Sequence, residues 1–207
     1  MIQYPKGQQR NPSPQTSTVS YGSRGMFLET LLNQTNDYYR LKKIAVIHKK
    51  PTPVQVVKVD YPKRSAAVIK EAYYRHASTT DYNGVYRGCY IDFEAKETKN
   101  KTSFPFINIH EHQLQHMEDC IYQGGIVFII FYFSSLNEYY LLESQYLISF
   151  IRDNKNGKKS IPLNYIRDNG KQIYLTVQSI LDYIPIVDNL IDKIQEVFYD
   201  RDTPKKT

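Results

Sequence analysis

The sequence predicts an α/β domain with a central mixed β-sheet, helices on both faces of that sheet, and a protruding basic stalk. Three observations predict it. Residues 126–133 are apolar without interruption, the pattern of a central strand covered on both sides. Residues 23–40 and 186–199 repeat apolar side chains at the spacing of a single buried helical face. Between the first helix and the central strand, Pro51 and Pro53 interrupt the chain, and a stretch rich in Lys, Arg and Tyr follows. That stretch reads as an exposed strand pair or arm.

Taken in order, residues 1–20 are mostly Gln, Ser, Thr and Pro, with almost no apolar pattern to offset the entropy of ordering. A flexible arm is expected there. A length of 207 residues suits one core plus an insertion better than two cores, so residues 21–207 read as a single domain with the stalk inserted near 50–75. Ser23 can cap a helix to Arg40 whose buried face is Phe27, Leu28, Leu31, Leu32 and Tyr38. Residues 44–47 form a short apolar strand, and 48–53 are irregular. Residues 55–61 alternate with apolar character on both faces, as an exposed strand pair does.

Asn83-Gly84 predicts a hairpin turn, followed by a strictly alternating strand over 90–96 with Ile91, Phe93 and Ala95 on one face. Asn108, with Glu111 three residues on, predicts the capped start of a helix to Tyr122 that turns Leu114, Met117 and Ile121 to the core. Gly124-Gly125 ends it. Residues 139–143 are the hairpin partner of the central strand, and 153–159 form a loop. A closing helix presents Leu190, Ile191, Ile194 and Phe198. The sequence contains no internal repeat.

The charge is unevenly placed. Between Lys42 and Lys101 there are 13 Lys/Arg against 6 Asp/Glu, whereas the remainder holds 14 against 15. The whole excess of +6 therefore sits in one stretch, which favours a polyanion partner over a basic face kept for solubility. Cys89 and Cys120 are the only cysteines; they have neither paired zinc spacing nor the density of a disulfide scaffold, and suit a reducing cytoplasm. The longest apolar run falls well short of the roughly 20 residues that cross a bilayer, so no membrane association is expected.

The chemistry-bearing segment is Thr79-Thr80-Asp81 followed, across the hairpin, by Asp92-Phe93-Glu94-Ala95-Lys96. On a strand, Glu94 and Lys96 project from one face, opposite Phe93 and Ala95. Asp81, arriving from the facing strand or its turn, lets two carboxylates converge on a hard cation such as Mg²⁺. Phosphodiester hydrolysis needs a metal to acidify water and a positive charge where the transition state gathers negative charge. Asp81 and Glu94 would supply the first and Lys96 the second. The competing reading is that Asp92, Glu94 and Lys96 are merely the solvent face of an edge strand.

These residues lie within a longer likeness. S-R-G-M at 23–26, I-A-V-I-H-K-K-P-T-P at 44–53, V-D-Y-P-K-R at 59–64, T-D-Y-N-G-V-Y at 80–86, Y-I-D-F-E-A-K-E-T-K-N-K-T-S-F at 90–104 and H-E-H-Q at 110–113 together resemble the RecU-type Holliday junction resolvases of the PD-(D/E)xK nuclease superfamily. The resemblance covers roughly residues 21–127. It implies a restriction-endonuclease-like core, a stalk near 50–75, a homodimer, and Mg²⁺-dependent symmetric nicking of four-way junction DNA in recombination and repair, with Mn²⁺ able to substitute. It also implies a metal site of Thr79, Asp81, Glu94 and Gln113, with Lys96 as the transition-state lysine. The superfamily pattern has Pro before the first Asp, where this chain has Thr80.

Residues expected at the DNA are Arg24, Lys49, Lys50, Lys63, Arg64, Lys70, Tyr73, Tyr74, Arg75 and Lys99. Tyr73 and Tyr74 are expected to stack on splayed bases. His112 and His116 stand one helical turn apart, but no third ligand completes a zinc site in the sequence, and helix surface near DNA is expected instead. Two other readings remain open: a non-catalytic junction-binding architectural protein, and a sequence-specific duplex endonuclease. A recombinase or repair partner and a nucleoid-associated cytoplasmic location accompany the resolvase reading.

Overall fold

The computed structural model describes residues 26–62, 67–74, 79–154, 157–178 and 180–202. In chain order these form α1 (Met26–Leu41), β1 (Val46–Lys49), β2 (Val54–Asp60), β3 (Val68–Tyr74), β4 (Tyr82–Tyr86), β5 (Cys89–Thr98), β6 (Ser103–Pro105), α2 (Glu111–Tyr122), β7 (Ile126–Phe133), β8 (Glu138–Glu143), α3 (Ser144–Asp153), β9 (Ser160–Pro162), α4 (Leu163–Asn169), β10 (Lys171–Ile173) and α5 (Ile184–Asp202). The main sheet has the order β1-β4-β5-β7-β8-β10. Its β5/β7 pair is parallel and the other pairs are antiparallel. A parallel pair needs a crossover, and α2 lies in the one between β5 and β7.

Helices cover both faces. On one, Ile91, Phe93, Phe128 and Ile130 pack with Leu28 and Leu32 of α1 and Val187 and Ile191 of α5. On the other, Val127, Ile129 and Phe131 pack with Leu114 and Met117 of α2, Leu147 of α3 and Ile166 of α4. Every residue of β7 is buried, as its unbroken apolar pattern predicts. At about 1.5–3 kcal/mol for each large apolar side chain fully buried, this strand and its neighbour β5 sit in the most strongly held part of the molecule.

Several boundaries differ from the expectations. The turn is not at Asn83-Gly84 but at Arg87-Gly88, both at positive φ (50° and 78°), with Tyr86 paired to Cys89 across it. Gly84 lies inside β4, between Ile47 and Ile91. A Cβ there would stand 2.0 Å from the Val46 carbonyl oxygen, so this glycine permits the close approach of β1. β1 itself starts at Val46 rather than Ile44, because Lys43 leaves α1 at φ 55° while the Ile44 N–H still closes onto the Tyr39 carbonyl.

In α1, Tyr39 rather than Phe27 belongs to the buried face; Phe27 is exposed and tilts against Tyr132. α2 begins at Glu111, after a 3-10 turn over Phe106–Asn108. It is Gln113, not Glu111, that reaches back to the first turn, accepting the His110 N–H at 3.2 Å. The elements α3, β9, α4 and β10 were not anticipated. In α5, Leu190 and Ile191 are buried as expected, while the side chains of Ile194 and Phe198, like the Ser23 cap and the arm at 1–20, lie outside the described residues.

The stalk is a two-stranded ribbon, β2 paired antiparallel with β3 and with no strand of the main sheet. Every residue of these strands is exposed except the half-buried Val59. Its described strands are not basic: Lys58 and Lys70 are matched by Asp60 and Glu71, and Lys70 pairs with Asp60 at 2.6 Å. Val54, Val56, Ile69, Tyr73 and Tyr74 give it an apolar and aromatic surface instead. Lys63, Arg64 and Arg75 lie outside the described residues.

Candidate active site

β5 is an interior strand, so its polar face is not a solvent face. Asp92 is fully buried and Glu94 is 2% exposed, which removes the edge-strand reading. The two carboxylates and Lys96 point toward α2, while Ile91 and Phe93 anchor the opposite face. There Tyr82 stacks on Phe93 and Phe93 on Phe128, with ring centroids 4.8 and 4.9 Å apart. This aromatic column holds the start of β4 and the middle of β5 in fixed register, and Asp81 immediately precedes Tyr82.

Asp81 and Glu94 interlock through the backbone. The Asp81 N–H donates to Glu94 Oε2 at 3.1 Å, and the Ala95 N–H donates to Asp81 Oδ2 at 3.3 Å. Lys96 Nζ lies 2.7 Å from Glu94 Oε1 and 3.3 Å from Gln113 Oε1, and Gln113 Nε2 donates to Glu94 Oε1 at 2.8 Å. Burial pushes the Glu94 carboxyl up to about 7; Asp81 adds to the rise and Lys96 opposes it. A buried carboxylate in that state, beside a second one, has a standing need for positive charge. The carboxylate oxygens of Asp81 and Glu94 are hard donors that fit a divalent cation such as Mg²⁺; the Gln113 amide turns Nε2 to Glu94 and Oε1 to Lys96 and the His110 N–H.

Of the expected set, Asp81, Glu94, Lys96 and Gln113 therefore converge. Thr79 stands two residues before Asp81, and its hydroxyl donates to the Thr80 carbonyl at 3.3 Å. Gln113, though next to Leu114 on a helix, is buried.

The sequence reading missed a second cluster on the same face. Asp92 Oδ2 accepts from Lys50 Nζ at 2.8 Å and from the Tyr90 hydroxyl at 2.8 Å, with His116 Nε2 at 3.3 Å. The Thr80 hydroxyl donates to Asp92 Oδ1 and accepts from Lys50 Nζ at 2.9 Å. His116 is thus not a helix-surface residue, and Lys50 turns inward to Asp92 rather than lying on an exposed basic face. Cys120 Sγ lies 3.6 Å from His116 Nε2, so Asp92, His116 and Cys120 have the proximity of a metal site. The Asp92 oxygens, however, already have Lys50, Thr80 and Tyr90 as partners, as a buried charge requires. The one signal available in the sequence was the period of two that puts Asp92 on the face of Glu94.

Among the remaining residues expected at DNA, Tyr73 is 60% and Tyr74 84% exposed. Lys99 is exposed, and Lys49 is paired with Glu29 of α1. Arg24, like Lys63, Arg64 and Arg75, lies outside the described residues.

A family model described as recombination protein U matches residues 23–189. The chain belongs to the RecU family. Among curated RecU proteins it is similar to the Holliday junction resolvase RecU of Geobacillus sp. (strain WCH70), 57% identical over 196 residues, which cover 92% of this chain and 98% of that protein. The Holliday junction resolvase RecU of Lactiplantibacillus plantarum is 50% identical over 204 residues, or 95% of this chain and 99% of that protein. Outside RecU, the solved structure of Hjc, a Holliday junction resolvase from Archaeoglobus fulgidus, matches at a TM-score of 0.40 and 8% identity over 69% of this chain and 94% of that one.

Proposed function

We propose that this RecU-family chain is a divalent-cation-dependent endonuclease that resolves Holliday junctions by paired, symmetric nicks. The observation that carries the reading is the buried Glu94, locked to Asp81 and flanked by Lys96 and Gln113. DNA binding alone would gain nothing from carboxylates buried behind a basic stretch. Asp81 and Glu94, with Gln113 and Thr79 as further ligands, would hold the cation, Mg²⁺ or in its place Mn²⁺. When bound, that cation supplies a more acidic water and charge stabilisation at the scissile phosphate.

Lys96, whose ammonium stands against Glu94 Oε1, neutralises developing negative charge or orients the attacking water. The ribbon of β2 and β3 enters the junction, and Tyr73 and Tyr74 stack on splayed bases, with Lys49, Lys70, Lys99 and the basic residues at 24, 63, 64 and 75 meeting phosphates. A four-way junction offers two symmetry-related strands, so the active species is a two-fold homodimer. Residues 21–207 act as a single nuclease domain. Contact with a recombinase or another repair protein places it at the nucleoid in the cytoplasm; among the described residues no helix is long and apolar enough to cross a membrane.

The test incubates a labelled four-way junction and a linear duplex of the same sequence with the protein, in Mg²⁺ and in EDTA. Paired nicks on the junction alone, dependent on Mg²⁺ and lost in Asp81→Asn with binding retained, are expected. Binding without cutting under every condition would instead identify an architectural protein, and cutting of the duplex at one site a sequence-specific endonuclease.

A further inference from the structure

Besides the Ala95 N–H that its carboxylate accepts, the position of Asp81 is set by contacts made through its backbone and its neighbours. Its carbonyl accepts the Lys50 N–H at 2.7 Å, and its N–H is taken by Glu94. The residue before it, Thr80, is buried with its hydroxyl between Lys50 Nζ and Asp92. Asp92 stands two residues before Glu94 on the same face of β5, so one rigid strand carries both the partner of Thr80 and the partner of Asp81.

These residues also occupy the neck of the ribbon. β1 ends at Lys49 and β4 begins at Tyr82, so Lys50 is on the outgoing stem and Thr80 on the returning one. A buried carboxylate at this point, with Lys50 opposite and Tyr90 and His116 filling its remaining capacity, is costly unless every partner is kept. That requirement holds both stems in one geometry.

We propose that Lys50, Thr80 and Asp92 form a positioning clamp that joins the two stems of the ribbon and fixes the Asp81 carboxylate for cation binding. The proposal rests on the reading of Asp81 and Glu94 as the cation site. None of the three touches the cation or the reacting phosphate; they act through the backbone of Asp81, in the way outer-shell partners orient ligands.

The test is calorimetric titration of Mg²⁺ and of Mn²⁺ into the DNA-free protein, comparing the wild type with Thr80→Val, which keeps the shape and removes the hydroxyl, and Thr80→Ser, which restores it. Thr80→Val is expected to weaken cation affinity by about 10-fold to 100-fold, the range for loss of an outer-shell partner. It should raise the Mg²⁺ needed for half-maximal cleavage by a similar factor. Thr80→Ser is expected to behave as wild type. Should Thr80→Val fail to fold, the double variant Lys50→Gln with Asp92→Asn, which removes both buried charges together, is expected to show the same weakening. Unaltered cation affinity in whichever of the two variants folds, or Thr80→Ser impaired as much as Thr80→Val, overturns the clamp. A wild-type protein that binds no divalent cation overturns the endonuclease reading itself, a separate outcome.

Discussion

The ribbon and the carboxylate face of β5 meet where Lys50 and Thr80 bond Asp92, and they are built on opposite terms. In the ribbon nearly every side chain is exposed and the strands are paired with each other alone; such a two-stranded unit is marginal by itself. On β5 the carboxylates of Asp92 and Glu94 are buried in an interior strand, backed by an aromatic stack, and Glu94 is held by the Asp81 N–H, Lys96 and Gln113. On the proposed reading, the groups that meet a cation and a phosphate are the ones held by packing, as a preorganised site needs, and the groups that meet the junction are the exposed ones, which can adapt. The two regions should therefore fail differently when altered.

The largest difference is expected from Asp81→Asn or Glu94→Gln. Either should reduce junction cleavage by about 1,000-fold or more, on the order of 4 kcal/mol in the barrier, while junction binding in a gel-shift assay stays within a few-fold of wild type. Loss of binding in parallel with cleavage would mean that the two regions are not separable.

The next effect is on stability without cation. Because the folded Glu94 carboxyl sits near 7 rather than at the ordinary 4.5, the folded protein holds a proton that the unfolded chain gives up. Stability from this group is full below about pH 4.5, falls as the pH rises toward 7, and levels off above. The drop is on the order of 3 kcal/mol. Denaturant unfolding in EDTA from pH 5 to 8 should show this slope, Glu94→Gln should flatten it, and Mg²⁺, which favours the charged form, should oppose it. A wild-type profile as flat as that of Glu94→Gln would count against the burial of a protonated carboxyl.

Much of this site was legible beforehand, and the reasons are physical. Alternation in Asp92-Phe93-Glu94-Ala95-Lys96 fixes which side chains share a face, and the unbroken run of β7 marks the strand beside it, so Glu94, Lys96 and the central sheet follow from local pattern. Asp92 did not follow, because its partners Lys50, Thr80 and His116 come from three distant segments and no local rule joins them. Lys50 looked like any lysine of a basic stretch until the fold turned it inward. Thr80, where the superfamily pattern has Pro, supplies the hydroxyl between Lys50 and Asp92, so the departure from the pattern coincides with a contact that proline lacks the atom to make. Asn83-Gly84 misled because a strong turn dipeptide was overridden by the need of β1 for a neighbour without a side chain. Beyond β8 the closing helix α5 was legible, whereas α3 and α4 were missed because short amphipathic segments carry little periodic signal.

On the ribbon a smaller effect is expected from replacing Tyr73 and Tyr74 with Ala. Both rings are exposed, so the change should leave folding intact, and if each stacks on a base it should cost about 1–3 kcal/mol per base in junction affinity. Duplex affinity, measured by the same titration, should change much less. Equal losses on both substrates would assign the rings to general DNA contact.

The smallest effect separates the two ways in which the ribbon can hold DNA. Lys70 and Asp60 form an exposed pair, with side chains 55% and 48% exposed, and such a pair contributes about 0–1 kcal/mol to stability. Asp60→Asn should therefore leave unfolding nearly unchanged, yet it releases Lys70 and shifts the described strands from balanced charge to a single positive excess. If Lys70 then reaches a phosphate, the dependence of junction affinity on salt should steepen by about 0.9 in log–log slope, one counterion more. A slope that does not move means that the described ribbon holds the junction through its apolar and aromatic surface, and that the phosphate contacts come from the basic residues around it.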